Sequence, residues 1–130
     1  MALKLTMKPK ERSIVGGAVI TNGSNHNCDL IVNNNTPVLR KKDILTEEDA
    51  STPCSRIYFA VQLMYIDNEN RHLHAATYWK LVNELLTAAP SMTRHIDEIS
   101  EHIVNDRYYQ ALKIARKLIE YEQEVLRHAL

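Results

Sequence analysis

The feature that most constrains the fold of this 130-residue chain is a change in hydrophobic period near residue 45. Before it, apolar and polar residues alternate in short runs separated by Asn, Gly and Pro, which predicts antiparallel β-strands. After it, apolar residues recur at helical spacing. We therefore predict an α+β fold with a small N-terminal antiparallel β-sheet over residues 1–45, followed by a bundle of about four helices over residues 46–130.

Turn residues divide the first segment into short strands. Pro9 cannot donate to a ladder, so the first strand should end near it. Gly16-Gly17 predicts a tight bend between two strands, and the Asn-rich runs around residues 22–27 and 33–37 predict further turns. The predicted strands cover residues 3–7, the two sides of Gly16-Gly17 within 13–21, residues 28–32 and residues 38–39.

Capping signals and apolar stripes divide the second segment into helices. Residues 46–49 resemble a helix start, Thr52-Pro53 is a second start, and Ser91 can cap a third helix. The helix from Cys54 to Ile66 is apolar on nearly every face, which predicts a central, buried position. The core stripes predicted for the later helices are Tyr78, Leu81, Leu85 and Ala88; Ile96, Ile99 and Ile103; and Tyr108, Leu112, Ala115 and Ile119.

Several classes of protein do not fit the sequence. The longest apolar stretch, residues 57–66, is too short to span a bilayer, and residues 1–10 lack the apolar core of a secretory signal. The two cysteines form no scaffold pattern, so a cytoplasmic protein is expected. The chain lacks the Gly-rich phosphate-binding motifs, a nucleophile motif and the ligand spacing of a zinc site. We predict a non-enzymatic protein without a cofactor or metal.

The distribution of charge is the remaining signal. The first 45 residues carry seven Lys or Arg and three Asp or Glu, so this segment is net +4 and the remainder is net −4. If the first and last strands are neighbours, their cations form one surface that RNA phosphates would bind in a salt-dependent way. A solvated strand face whose lysines protect a sheet edge is the alternative. The predicted RNA-binding residues are Lys4, Thr6, Lys8, Lys10, Arg12, Arg40, Lys41 and Lys42.

Polar residues in the neighbouring turns would then face unpaired nucleotides. Asn and His side chains can hydrogen-bond to the base edges of single-stranded RNA. The candidates are Asn22, Asn25, His26, Asn33 and Asn34.

Four segments in the same order carry a resemblance to a known family. They are residues 1–9 (MALKLTMKP), 37–46 (PVLRKKDILT), 56–65 (RIYFAVQLMY) and 108–118 (YYQALKIARKL). Together they resemble the FlbT family, the flagellum biosynthesis repressors of alphaproteobacteria. The resemblance implies a cytoplasmic post-transcriptional regulator that binds the 5′ untranslated region of flagellin mRNA and lowers its translation or lifetime. Some family members are described as activators, so the sign of the effect stays open.

The first 45 residues also resemble the carbon storage regulators, a family of small β-sheet mRNA repressors. In that family the first strand and an arginine at the end of the last strand form the RNA surface of a strand-exchanged dimer. Aligned by motif, that arginine is Arg40. The similarity implies the same cations that the charge distribution indicates.

A second functional class stays open. If the helices do not fully cover the apolar helix at residues 54–66, the remainder would dock a partner helix or a second copy of the chain. The protein would then be an interaction adaptor for flagellin, for a flagellar export partner or for another flagellar regulator, with an indirect effect on mRNA.

Overall fold

The computed structural model describes residues 2–129, and within this range five strands precede four α-helices. The chain divides into two compact units between Ile44 and Leu45. The first, here called the sheet unit, holds the strands, and the second, here called the helical unit, holds the α-helices. The predicted fold class, antiparallel strands followed by four helices, is confirmed.

The boundaries of the elements follow the turn and capping residues. The strands are β1 (Leu3–Met7), β2 (Arg12–Val15), β3 (Ala18–Thr21), β4 (Cys28–Val32) and β5 (Val38–Arg40). The helices are α1 (Pro53–Ile66), α2 (Arg71–Ala88), α3 (Thr93–Val104) and α4 (Tyr108–Ala129). Single 3₁₀ turns occupy Lys41–Asp43, Asn68–Asn70 and Pro90–Met92.

The strands form two small antiparallel sheets rather than the single sheet that the sequence predicts. β1 pairs with β4, and β2 lies between β3 and β5. Alternation along β1 buries Leu5 and Met7, whereas Leu3 at the start of the strand stays 41% exposed. The buried residues of the sheet unit are therefore few, in keeping with strands of three to five residues.

The predicted bend at Gly16-Gly17 is a two-residue hairpin turn. Both glycines have positive φ, 59° and 86°, as a type I′ turn requires. A Cβ added at Gly16 would lie 2.9 Å from Thr36 Oγ1, so the turn needs glycine there for space as well as for conformation.

Helix α1 begins where Thr52-Pro53 predicts. Thr52 and Ser55 form a reciprocal capping box, and Pro53 occupies the first helical position. The helix packs against α2 and α4, while α3 packs against α4. Ile57, Val61 and Met64 are fully buried, and Ile96, Ile99 and Ile103 of α3 are also buried. The central position of α1 and the core stripe of α3 are confirmed.

Two predicted helix starts are wrong. Residues 46–49 form a turn, in which the Asp49 N–H donates to Thr46 Oγ1 at 3.2 Å. A helix cannot continue from this turn because the residue before a proline avoids the helical region, and Thr52 is extended. Ser91 does not cap α3 either, because it lies inside a 3₁₀ turn that leads directly into Thr93.

The core stripes of α2 and α4 differ in part from the prediction. In α2, Ala88 is exposed and Val82 is buried. In α4, Tyr108 and Ile119 are half-buried, whereas the more deeply buried positions include Ala111 and Leu118. Packing on two sides, against α1 and α3, widens the buried face of α4 beyond a single stripe.

Residues 2–129 contain no helix that combines the length and hydrophobicity needed to cross a membrane.

Candidate nucleic-acid interface

A concave surface of about 370 Å³ in the sheet unit collects many of the predicted site residues. We call it the basic groove. Five predicted residues line it: Thr6, Lys8, Arg40, Lys41 and Lys42. Its remaining lining residues are Leu5, Glu11, Ser13 and Asn27. One cation of the first group, Lys8, thus shares a surface with Arg40, Lys41 and Lys42, which lie about thirty residues later in the sequence.

Strand pairing explains how distant residues reach the basic groove. Ser13 of β2 is directly opposite Arg40 of β5, and residues opposite each other in an antiparallel pair project from the same face. Thr6 projects from the outward face of β1, because its neighbours Leu5 and Met7 point into the core. The 3₁₀ turn after β5 then places Lys41 and Lys42 beside Arg40.

The basic groove carries an excess of positive charge. It is lined by four cations and one carboxylate, that of Glu11. Within residues 2–129, Lys8, Arg40 and Lys41 form no ion pair with a carboxylate. A concave surface with an excess of one sign of charge concentrates counter-ions, so this groove would attract a polyanion.

Lys4 lies on the same face of β1 as Thr6, but Asp29 partly neutralises it. Lys4 Nζ is 3.5 Å from Asp29 Oδ2, and Thr6 Oγ1 donates a 2.8 Å hydrogen bond to Asp29 Oδ1. The Thr6 hydrogen bond, aided by the charge of Lys4, lowers the pKa of Asp29 below its usual range. Lys4 is therefore held beside a carboxylate of its own sheet and does not line the basic groove.

Lys10 and Arg12 are also outside the lining of the basic groove. Lys10 sits in the turn between β1 and β2 with φ 68°, and its N–H donates to the Asn22 carbonyl at 2.8 Å. Arg12 precedes Ser13 in β2, so alternation directs it to the opposite face of the strand from Ser13 and Arg40.

The suggestion that Asn22 reads bases is wrong, because its side chain is buried and fully used. Asn22 Nδ2 donates to the carbonyls of Met7 at 2.9 Å and His26 at 2.8 Å. Its Oδ1 accepts from the N–H and the hydroxyl of Ser24. Asn22 therefore organises the turn and presents no group to a ligand. The other four candidates in these turns, Asn25, His26, Asn33 and Asn34, are exposed and do not line the basic groove.

Sequence reasoning missed three polar residues of the basic groove. No sequence motif includes Glu11, Ser13 or Asn27. Glu11 also lies between Lys10 and Arg12, so the net charge of this stretch is positive despite the carboxylate. Ser13 is 2% exposed although the groove borders it, which follows from its position on the central strand. The pairing of β2 with β5 could have indicated Ser13, but that pairing is not evident in the sequence.

A second concavity, of about 430 Å³, lies in the helical unit. Phe59, Leu63 and Leu81 supply an apolar lining from α1 and α2, and Arg56 and His74 also line it. Nearby in the same unit, His74 Nε2 is 2.8 Å from Asp67 Oδ2. Hydrogen bonds from His74 and then Asn70 lower the pKa of Asp67.

These features define a small α+β protein whose sheet unit presents a cation-lined groove. The model of the flagellar protein FlbT family matches residues 3–126. The chain belongs to this family.

Curated relatives match along nearly the whole chain. A Bradyrhizobium diazoefficiens protein named probable flagellum biosynthesis repressor protein FlbT 1 is 49% identical over 125 residues, which are 96% of this chain and 85% of the relative. The flagellum biosynthesis repressor protein FlbT of Caulobacter vibrioides is 38% identical over 130 residues, covering 98% and 92% of the two chains. No solved structure matches.

Proposed function

We propose that this protein is a cytoplasmic post-transcriptional repressor of flagellum biogenesis that binds the 5′ untranslated region of flagellin mRNA through the basic groove. The family and the names of its relatives support a role in repressing flagellum synthesis. The main observation that supports RNA binding is that Lys8, Arg40 and Lys41 line one concave surface.

The chemistry of the groove favours binding through the phosphates of the RNA. Lysine and arginine side chains contact phosphates and release counter-ions, which supplies affinity without base specificity. No aromatic residue lines this groove within the described range, so stacking does not contribute there. Affinity would then rest on phosphate contacts, and selectivity on the accessible polar residues Thr6, Glu11 and Asn27.

Repression would require no bond chemistry by this protein. A protein bound across the leader of an mRNA can cover the ribosome-binding site, or can hold the transcript in a form that nucleases cleave. Both mechanisms need only occupancy of the RNA.

Matched charge removals test the proposal. Purified protein is titrated with a flagellin leader RNA over a series of salt concentrations. Arg40→Ala/Lys41→Ala removes two groove cations, and Lys117→Ala/Arg127→Ala removes two exposed cations of α4 as a control. For a single strand, losing two phosphate contacts should flatten the slope of log affinity against log salt by about 1.4. The control variant should keep the wild-type slope.

Equal slopes for the groove variant and the wild type, with the fold intact by circular dichroism, would contradict RNA binding at this surface. A loss confined to the α4 variant would move the binding site to the helical unit.

The helical concavity favours a second candidate function, that of an adaptor for a flagellar protein. Its apolar lining by Phe59, Leu63 and Leu81 suits one face of an amphipathic helix, and Arg56 would pair with a carboxylate on that helix. Flagellin or another flagellar regulator would be the partner. Leu81→Asp should abolish complex formation with purified flagellin if this candidate is correct, and should leave RNA affinity unchanged if the basic groove is the functional site.

A further inference from the structure

We propose that the basic groove selects an unpaired guanine, and that the Glu11 carboxylate is the group that recognises it. This inference rests on the proposed RNA-binding function and adds the identity of the base. The groove contains one carboxylate among four cations, and a negative charge is unexpected in a surface that binds a polyanion.

The Glu11 carboxylate is not neutralised by the cations around it. Within the described residues it forms no ion pair. Among residues 2–129, the one hydrogen bond to this carboxylate is from the Lys8 N–H to Oε1, at 3.4 Å. That distance is beyond the usual range of about 2.7–3.2 Å for N–H···O bonds, so the bond is weak. The side chain is half-buried at the groove, and its oxygens remain acceptors for a ligand.

A carboxylate discriminates among bases because it can only accept hydrogen bonds. The Watson–Crick edge of guanine presents two adjacent donors, N1–H and N2–H, which match the two oxygens of a carboxylate. Adenine, cytosine and uracil each place at least one acceptor beside their donor on that edge. A carboxylate facing those bases would meet a lone pair, which is repulsive. Guanine is therefore the base that a carboxylate in an RNA groove favours.

The neighbouring polar groups complete the match. Asn27 lines the same groove, and within residues 2–129 its side chain makes no hydrogen bond, so its amide N–H can donate to guanine O6. The volume of about 370 Å³ falls within the range of about 300–1,000 Å³ typical of small-ligand sites. Lys8, Arg40 and Lys41 would hold the flanking phosphates, which offsets the repulsion between Glu11 and the RNA backbone.

The test uses short single-stranded RNAs that differ in one base. A uridine tract carrying one central guanosine is compared with the same tract carrying inosine, which lacks the 2-amino donor, or adenosine. A good bidentate base contact is worth about 1–3 kcal/mol, so wild-type protein should bind the guanosine RNA about tenfold more tightly than the adenosine RNA. The inosine RNA should fall between them. This comparison needs no change to the protein.

Glu11→Gln then tests the residue. The variant keeps the size of the side chain but removes its charge and one acceptor, so binding to guanosine RNA should weaken. Binding to the adenosine RNA should strengthen, because a repulsive charge is gone. Lys41→Ala is the matched control, and it should weaken binding to all three RNAs by the same factor.

The outcomes separate this inference from the proposed function. Tight, salt-dependent binding of all three RNAs with equal affinity would overturn guanine selection and leave RNA binding intact. A Glu11→Gln variant that loses affinity equally for every RNA would assign Glu11 a structural role and also overturn the inference. If the wild-type protein binds neither these RNAs nor a flagellin leader at low salt, both guanine selection and the proposed RNA-binding function are contradicted.

Discussion

The two units of the molecule stabilise themselves in different ways. The helical unit buries a continuous set of large apolar side chains, among them Ile57, Ile99 and Leu118, which are fully buried. The sheet unit buries far fewer, such as Leu5 and Leu39, and depends on turns and strand register. Short strands leave one face of each sheet outside the core, and charged side chains occupy part of that face. The sheet unit therefore exposes charged side chains on a small core, whereas the helical unit buries a larger apolar core.

Matched core truncations should show the largest difference between the units. Leu118→Ala and Leu39→Ala each remove a fully buried leucine. Such changes lower the free energy of unfolding by about 2–5 kcal/mol, with the cost set by how far the surroundings collapse. We expect Leu118→Ala to be near the upper end, since α1 and α3 both pack on α4. Leu39→Ala should cost less, because short strands can readjust.

Urea unfolding of both variants measures this difference, and RNA affinity provides the second readout. Leu39→Ala should weaken RNA binding because Leu39 precedes Arg40 in β5. Leu118→Ala should bind RNA normally under conditions where it is folded. A reversed order of stability losses would contradict the assignment of the main core to the helical unit.

Alkaline pH should affect the helical unit through Tyr78. Burial, opposed in part by the hydrogen bond with Ser100, raises the pKa of Tyr78 to about 12. In the unfolded chain the Tyr78 hydroxyl ionises near about pH 10. The stability that comes from keeping this hydroxyl neutral in the folded protein is therefore fully present below that pH. Stability then falls by about 1.4 kcal/mol per pH unit until about pH 12.

Unfolding free energies of wild type and Tyr78→Phe between pH 9 and 12 measure this effect. The variant loses the Ser100 hydrogen bond, about 1 kcal/mol at neutral pH, but should show a shallower alkaline decline. Parallel declines in the two proteins would assign the effect to other groups.

A smaller effect is expected from Glu122, a buried carboxylate in α4. Glu122 is 6% exposed, and its Oε2 accepts a 3.1 Å hydrogen bond from the Cys54 N–H in the first turn of α1. An anion at a helix N-terminus satisfies a free donor and complements the helix dipole. Glu122→Ala should lower the free energy of unfolding by about 1–2 kcal/mol. Glu122→Gln, which keeps an acceptor, should lose less than Glu122→Ala.

Thiol titration gives an independent check. Burial, together with the charge of Glu122, raises the pKa of the Cys54 thiol. The Gln variant should therefore have a lower Cys54 pKa than the wild type. An unchanged thiol pKa and unchanged stability in both variants would show that Glu122 does not act on α1.

The smallest effect is expected from the exposed ion pair between Lys4 and Asp29 in the sheet unit. Solvent screens exposed ion pairs, so Asp29→Asn should change stability little at neutral pH. Because the pKa of Asp29 is lowered in the folded state, the contribution is present at neutral pH and is lost as pH falls through that pKa. Carboxyl chemical shifts followed by NMR measure the pKa. A value at or above that of a model peptide would contradict the Thr6 hydrogen bond.

The sequence predicted where strands and helices begin and end more accurately than it predicted which of these elements contact one another. Proline and capping chemistry located the end of β1 and the start of α1, because both depend on neighbouring residues. The pairing of β2 with β5 depends on register across more than twenty residues, so neither Ser13 nor the exclusion of Arg12 from the groove was predictable. The burial of Asn22 and Glu122 likewise depends on distant backbone groups that each side chain satisfies.

A crosslinking map of the wild-type protein on a flagellin leader RNA tests the central claim most directly. Ultraviolet crosslinks located by mass spectrometry should concentrate on peptides containing Thr6 to Ser13 and Arg40 to Lys42, and high salt should reduce them. Crosslinks confined to residues 45–129, or an absence of crosslinks at low salt, would contradict the assignment of RNA binding to the sheet unit.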